Sequence, residues 1–331
     1  MKLSLGIVGL PNVGKSTLFN LLTKQNVLAA NYPFATIDPN VGVVAVPDER
    51  LDTLTELAKS KKKVPAVVEF YDIAGLVKGA NQGEGLGNQF LSHIRETQAI
   101  VIVLRAFKND EIIHVESSID PVRDLEIINT ELALKDLETV EKRLAKAEGE
   151  ARTGDKKAVK LFETLKAVQN ELIKSNLTAH FREEDIIKEL QLLTAKRQLY
   201  VINGTETDVT PELVEAIKGV GGDYVVMNLA HAANLNPLIV KAYEILDLIS
   251  FLTTGEDESR AWTIRRGAKA PEAAGTIHTD FEKSFIRAEV INWQKLVESG
   301  DWNKAKQKGW LRVEGKEYVV QDGDVMVIRH G

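Results

Sequence analysis

Short apolar, β-branched runs recur through the first hundred residues, at 3–8, 41–46, 66–71 and 99–104. They alternate with stretches that read as helices, one opening at residue 17 and one at 88–96. Runs of this length suit strands buried on both faces, and their alternation with helices predicts a largely parallel sheet covered by helices. In such α/β sheets, ligands bind where strands end and helices begin.

From Pro121 the pattern changes period. Leu137, Val140, Leu144 and Ala147 fall at 3-4-3 spacing, and Leu161, Leu165, Val168 and Leu172 form a second stripe at 4-3-4. The two stripes predict a pair of amphipathic helices, 121–150 and 156–175, joined by a turn at Gly154. Each stripe is read as the hairpin's own core, with a groove for a partner as the alternative. Strand patterning resumes at 198–203 and 224–228, and a closing helix is expected over 237–248. The hairpin is therefore an insertion. Beyond residue 250, short strands at 262–265, 318–321 and 325–329 are expected, with 282–299 and 301–309 mostly helical or irregular. The predicted organisation is a nucleotide-binding domain at 1–120 and 197–247, a helical hairpin at 121–196, and a compact α+β module at 248–331.

Composition narrows the chemistry. The 331 residues are 44% hydrophobic, carry a formal net charge of -6 and contain no cysteine. Disulfides, thiolate metal sites and a thiol nucleophile are excluded. The mild acidity argues against a chain that wraps nucleic acid by charge alone. No apolar run approaches the roughly 20 residues that span a bilayer. The first strand begins too early to leave room for a signal peptide, so a soluble, cytoplasmic protein without membrane partners is expected.

The segment from Gly9 to Ser16 fits the phosphate-loop pattern G-x-x-x-x-G-K-[ST] between a strand and a helix. Asn12, Val13, Gly14, Lys15, Ser16 and Thr17 are thus candidates to cradle a triphosphate, with Lys15 on its β and γ phosphates and the Ser16 hydroxyl on Mg2+. Thr36, in a Pro-punctuated loop, is the candidate switch residue that closes over the metal and γ-phosphate. Asp72, at a strand end, can hold the Mg2+ shell through water, and Gly75 can offer its N–H to the γ-phosphate. Leu76 stands where Ras-type enzymes carry a water-orienting glutamine, so slow or assisted hydrolysis is expected. His114 is a candidate to orient the water, against the plainer reading of a surface loop histidine. Arg95 and Arg105 are candidates for transition-state charge or for structural ion pairs. GTPases usually carry Asn-Lys-x-Asp after the next strand. This chain has Asn203-Gly204-Thr205-Glu206, which weakens a guanine reading and leaves adenine and guanine both open. Arg265, Arg266 and Lys269, beside Trp262, form a small basic cluster, read either as a solvated face or as an RNA contact.

Taken together, these motifs resemble the YchF subfamily of Obg-like P-loop ATPases. The segments that carry the resemblance are 12–17, 31–36, 72–80, His114-Val-Glu, 260–263, 273–281 and 314–324. The resemblance implies a Ras-like P-loop fold with a C-terminal TGS (ubiquitin-like) module. It also implies slow hydrolysis of ATP in preference to GTP, Mg2+ as cofactor and the ribosome or ribosomal RNA as partner. Base contacts are implied near Phe107, Asn203 and Leu229. The chain departs from the family pattern in passing almost directly from Asn228 to Pro237, and in reading Met227-Asn-Leu-Ala230 where a small Ser/Cys-Ala signature is usual.

Overall fold

A computed structural model describes residues 4–24, 40–72, 94–108 and 118–331. In chain order the elements are β1 (Ser4–Val8), α1 (Lys15–Lys24), β2 (Val41–Ala45), α2 (Glu49–Ala58), β3 (Lys62–Val64), β4 (Val67–Asp72) and β5 (Ala99–Arg105). Two long helices, α3 (Pro121–Ala151) and α4 (Lys156–Ile173), precede a short α5 (Asp185–Leu190). Then come β6 (Arg197–Asn203), α6 (Pro211–Gly219), β7 (Asp223–Met227) and α7 (Asn236–Ile245). The last stretch contains β8 (Leu248–Thr254), β9 (Glu258–Arg265), α8 (Ala270–Ile277), β10 (Phe285–Asn292), β11 (Arg312–Glu314) and β12 (Asp324–His330).

The first sheet has the order β2-β4-β1-β5-β6-β7. β1 runs parallel to β4 and β5, β5 to β6, and β6 to β7. Every residue of β1 and β5 is buried, as expected of central strands covered on both faces. Because these strands are parallel, their carboxyl ends share one edge, where the chain continues into 9–16, 106–108, 203–206 and 228–231.

α3 starts at Pro121, where the missing N–H costs nothing, and the Asp120 carboxylate accepts the Arg123 N–H at 3.1 Å. Asp155 caps α4 in the same way through the Ala158 N–H at 2.9 Å. Val140 and Ala147 of α3 meet Leu165, Val168 and Leu172 of α4 in one cluster, joined by Ile186 and Ile187 of α5. The stripes read from the sequence are therefore the hairpin's own core.

The second sheet is mixed, with the order β11-β10-β12-β8-β9-β3. Phe251, Val290 and Met326 form its core together with Ala270, Ala273 and Ala274 of α8, whose small side chains let the helix lie close to the strands. Two expectations are overturned here. Residues 285–292 are a strand paired along its length with β12, not helical. Its pairing between β11 and β12 outweighs the ambiguous local pattern set by Arg287 and Glu289. Residues 318–321 form only an isolated bridge, Val319 to Lys269.

The chain divides into two compact units. Among the described residues, the first holds 4–24, 40–42 and those from Glu69 to Leu238, and the second holds Val43–Val68 and Ile239–Gly331. The second unit is thus discontinuous. β3 pairs with β9 in parallel, from Lys62–Glu258 to Val64–Arg260, and α2 lies against β8 and β9. Arg50 of α2 bonds Asp48 at 2.8 Å and Asp322 at 2.9 Å. The Ser60 hydroxyl donates to the Gly255 carbonyl at 2.6 Å.

Candidate nucleotide site

The loop after β1 has two glycines with separate steric reasons. A Cβ on Gly9 would sit 2.6 Å from the Val103 carbonyl oxygen. A Cβ on Gly14, at φ +109°, would sit 2.5 Å from the Asn203 amide nitrogen. No side chain fits either position without displacing a neighbour. Asn12 takes the left-handed conformation, φ 63°. The turn ends at Lys15, where α1 begins and its first N–H groups are unsatisfied by the helix itself.

Lys15 donates from Nζ to the Leu10 carbonyl at 2.6 Å. Burial lowers its amine to about 8, with the Asp72 carboxylate pulling in the opposite direction. Asp72 closes β4, is 7% exposed, and stands beside Ile7 in the sheet register. It therefore places a buried carboxylate next to the phosphate loop. The hydroxyl of Ser16 and this carboxylate are hard oxygen donors, the type that suits Mg2+. Among the described residues no group of three or more His, Cys, Asp or Glu side chains could hold a metal. A site of this kind relies on a hydroxyl, one carboxylate, water and substrate phosphates. P-loop NTPases generally use Mg2+ in this way.

A cavity of about 570 Å3 opens over the loop, lined by Asn12, Gly14, Lys15, Ser16, Thr17, Phe107, Lys108, Asn203, Asn228, Leu229, Ala230 and His231. Asn203 is the junction of its far side. Its Nδ2 donates to the Val13 carbonyl at 2.8 Å, and its Oδ1 accepts the Leu229 N–H at 3.1 Å. Its own carbonyl accepts the N–H groups of Ala106 and Phe107. One buried amide thus ties the phosphate loop to the segments following β5 and β7.

The structure brings together Asn12, Gly14, Lys15, Ser16, Thr17, Phe107, Asn203 and Leu229, with Asp72 alongside. Val13 contributes its carbonyl to Asn203 and is itself buried. Gly204 and Glu206 are not among the lining residues. Glu206 is exposed and opens a 3-10 turn, Glu206–Asp208, in which Asp208 Oδ2 accepts both the Thr205 N–H and its hydroxyl. Thr36, Gly75, Leu76 and His114 lie outside the described residues. Lys108, Asn228, Ala230 and His231 line the cavity although no motif marks Lys108 or His231. Only their positions just past β5 and β7 signal them.

Neither arginine suggested for transition-state charge lines this cavity. Arg95 donates to the Leu190 carbonyl, the Asp136 carboxylate and the Thr139 hydroxyl at 2.9–3.2 Å, all at the base of the hairpin. Arg105 lies under Phe107. The basic cluster near the C-terminal sheet is partly neutralised, with Lys269 paired to Glu317 at 2.5 Å and Arg266 to Asp247 at 3.4 Å.

Comparison with known proteins agrees with this geometry. A family model described as "50S ribosome-binding GTPase" matches residues 4–142. A second, YchF-GTPase_C, described as a protein of unknown function, matches 248–331. The chain is 47% identical to the protein named "Ribosome-binding ATPase YchF" of Bacillus subtilis, over 99% of each chain. It is 43% identical to "Obg-like ATPase 1" of Oryza sativa, over 99% of this chain and 92% of that one. The solved structure of the Schizosaccharomyces pombe YchF GTPase superposes with a TM-score of 0.86 at 40% identity, covering 99% of this chain and 98% of that one. This chain, a phosphate-loop α/β protein with an inserted helical hairpin, belongs to the YchF family.

Proposed function

We propose that this protein hydrolyses ATP slowly, with Mg2+, and that its nucleotide state sets its affinity for the ribosome. The observation that carries this reading is the cavity, which joins a complete phosphate loop to a base side built from Asn203 and Leu229. The carboxylate that guanine recognition would need, Glu206, is not part of its lining. The relatives named as ribosome-binding ATPases, at up to 47% identity over nearly the whole chain, support both the activity and the partner. A cytoplasmic location follows from that partner. No helix among the described residues is long and apolar enough to cross a membrane.

In this reading the N–H groups from Asn12 to Thr17 and the Lys15 ammonium bind the phosphates. Mg2+, when bound, would supply positive charge to offset that of the phosphates. Ser16 would hold the metal directly and Asp72 through water. Thr36 and Gly75 would sense the γ-phosphate, and His114 would orient water in place of the glutamine that Leu76 replaces. Gly204 and Glu206 would shape the base side without entering the cavity, while Phe107 and Leu229 flank the base.

Competition binding and turnover with ATP and GTP, with and without ribosomes, test this. Tighter ATP binding, slow turnover and ribosome co-sedimentation that differs between a non-hydrolysable ATP analogue and ADP are expected. A GTP preference above tenfold would overturn the ATPase reading. Co-sedimentation indifferent to nucleotide would overturn the switch.

A further inference from the structure

Arg105 is 1% exposed, one of the largest side chains to be fully buried among the described residues. Charged groups are almost never buried so completely without partners. It ends β5, and the chain turns at once into Phe107. Its Nε donates to the Phe107 carbonyl at 3.3 Å, and its guanidinium carbon stands 4.5 Å from the centroid of the Phe107 ring. The Phe107 N–H is held by the Asn203 carbonyl at 3.1 Å. Main chain and one ring face of Phe107 are therefore both fixed from β5 and β6. The ring is half-buried and lines the cavity, so another part of its surface faces what binds there.

Resting on the nucleotide reading above, we propose that Arg105 is a positioning residue for base recognition. It holds Phe107 as a flat platform on which a purine stacks. The pocket then selects purine from pyrimidine nucleotides and leaves the choice between adenine and guanine to the polar groups near Asn203 and Leu229. Stacking reads ring area and not hydrogen-bonding edges, because every base has a π face. A two-ring base covers more of the phenyl ring than a one-ring base. The guanidinium on one face attracts the ring's π electrons and keeps its plane fixed. Lysine cannot substitute, because a point charge offers neither a planar face nor an Nε–H aimed at the Phe107 carbonyl.

The test is calorimetric titration of the full chain with ATP, GTP, UTP and tripolyphosphate, each with Mg2+. Wild type is compared with Arg105→Lys, Phe107→Leu, Phe107→Trp and the Arg105→Lys/Phe107→Leu double variant. Wild type should bind ATP and GTP more tightly than UTP. Arg105→Lys and Phe107→Leu should each weaken ATP and GTP by about tenfold, by similar factors, with tripolyphosphate unchanged. Phe107→Trp should keep the purine preference. The double variant should be no weaker than Phe107→Leu, because Arg105 acts through that ring. Equal weakening of tripolyphosphate by Arg105→Lys would reduce Arg105 to a general structural role and overturn the proposal. If Arg105→Lys does not fold, Phe107→Leu decides, and an unchanged purine preference there overturns it. A wild type that binds UTP as tightly as ATP would sink the platform alone. A wild type that binds none of these ligands would sink the nucleotide reading as well.

Discussion

Lys15 is held in two opposing ways. Burial disfavours its charge and brings it to about 8, while Asp72 favours the ammonium. Its value lies below the 10.5 of a free lysine. The unfolded chain therefore binds more protons between pH 8 and 10.5, and the ligand-free protein gains stability from this group as pH rises through that window. A triphosphate reverses the balance by adding anionic oxygens, so binding near pH 8 should take up roughly half a proton. Affinity should then fall as pH rises above 8. Titrations in buffers of different ionisation heat would measure this, with proton uptake at pH 8 shrinking by pH 6.5 and vanishing in Lys15→Met. Buffer-independent heats at pH 8 would sink the account. The phosphate loop was legible in the sequence because its demands are local, with two glycines where a Cβ has no room and a lysine and serine at fixed offsets. The far side of the cavity was only half legible. Asn203 serves through bonds to Val13 and Leu229, which lie 190 and 26 residues away, and no short motif encodes such contacts.

Among the elements, a buried carboxylate of the hairpin pins α3 to the segments that lead into β5 and β6. Asp136 is fully buried in α3, and its Oδ2 accepts the Thr194 N–H and hydroxyl, both at 2.7 Å. Its Oδ1 receives Arg95 at 3.2 Å. Burial pushes its carboxyl above the usual range, against the bonds from Thr194 and the Arg95 charge. Lys196 nearby donates to the carbonyls of Arg95 and Thr97, and burial lowers its amine to about 8. Removing one member of a buried ion pair strands the other. Asp136→Asn should cost about 3 kcal/mol, read as a lower urea midpoint with an unchanged slope. A midpoint within error of wild type would show that the pair contributes nothing net. The helices of this element were readable from periodicity alone, because their stripes pack on each other. The strand at 285–292 was not, since its place in the sheet is fixed by β12 partners 32 to 45 residues downstream.

At the scale of the molecule, the C-terminal sheet draws on residues near the amino end. A boundary at 248 follows the change in sequence texture, but β3 forms the edge beyond β9 and α2 lies across β8 and β9. A fragment of residues 248–331 would lack this edge strand, the helix and the Arg50–Asp322 pair. It should show no cooperative thermal transition by circular dichroism, and a peptide of residues 43–68 should restore one. A sharp melt of the fragment alone would show that the borrowed segment is dispensable. No local pattern could have announced this arrangement, because the apolar positions of 41–71 suit either sheet.

The borrowed segment also sets a timetable for synthesis. Val64 pairs with Arg260, which is made almost 200 residues later. At translation rates of about 5–20 residues per second, some 10–40 seconds separate the two. Throughout that interval Leu51, Leu54 and Val64, all fully or nearly fully buried in the finished protein, have no sheet to cover them. The second unit can close only after the nucleotide-binding strands and the hairpin have been made, so residues 43–68, among the first to be synthesised, wait longest for their final partners.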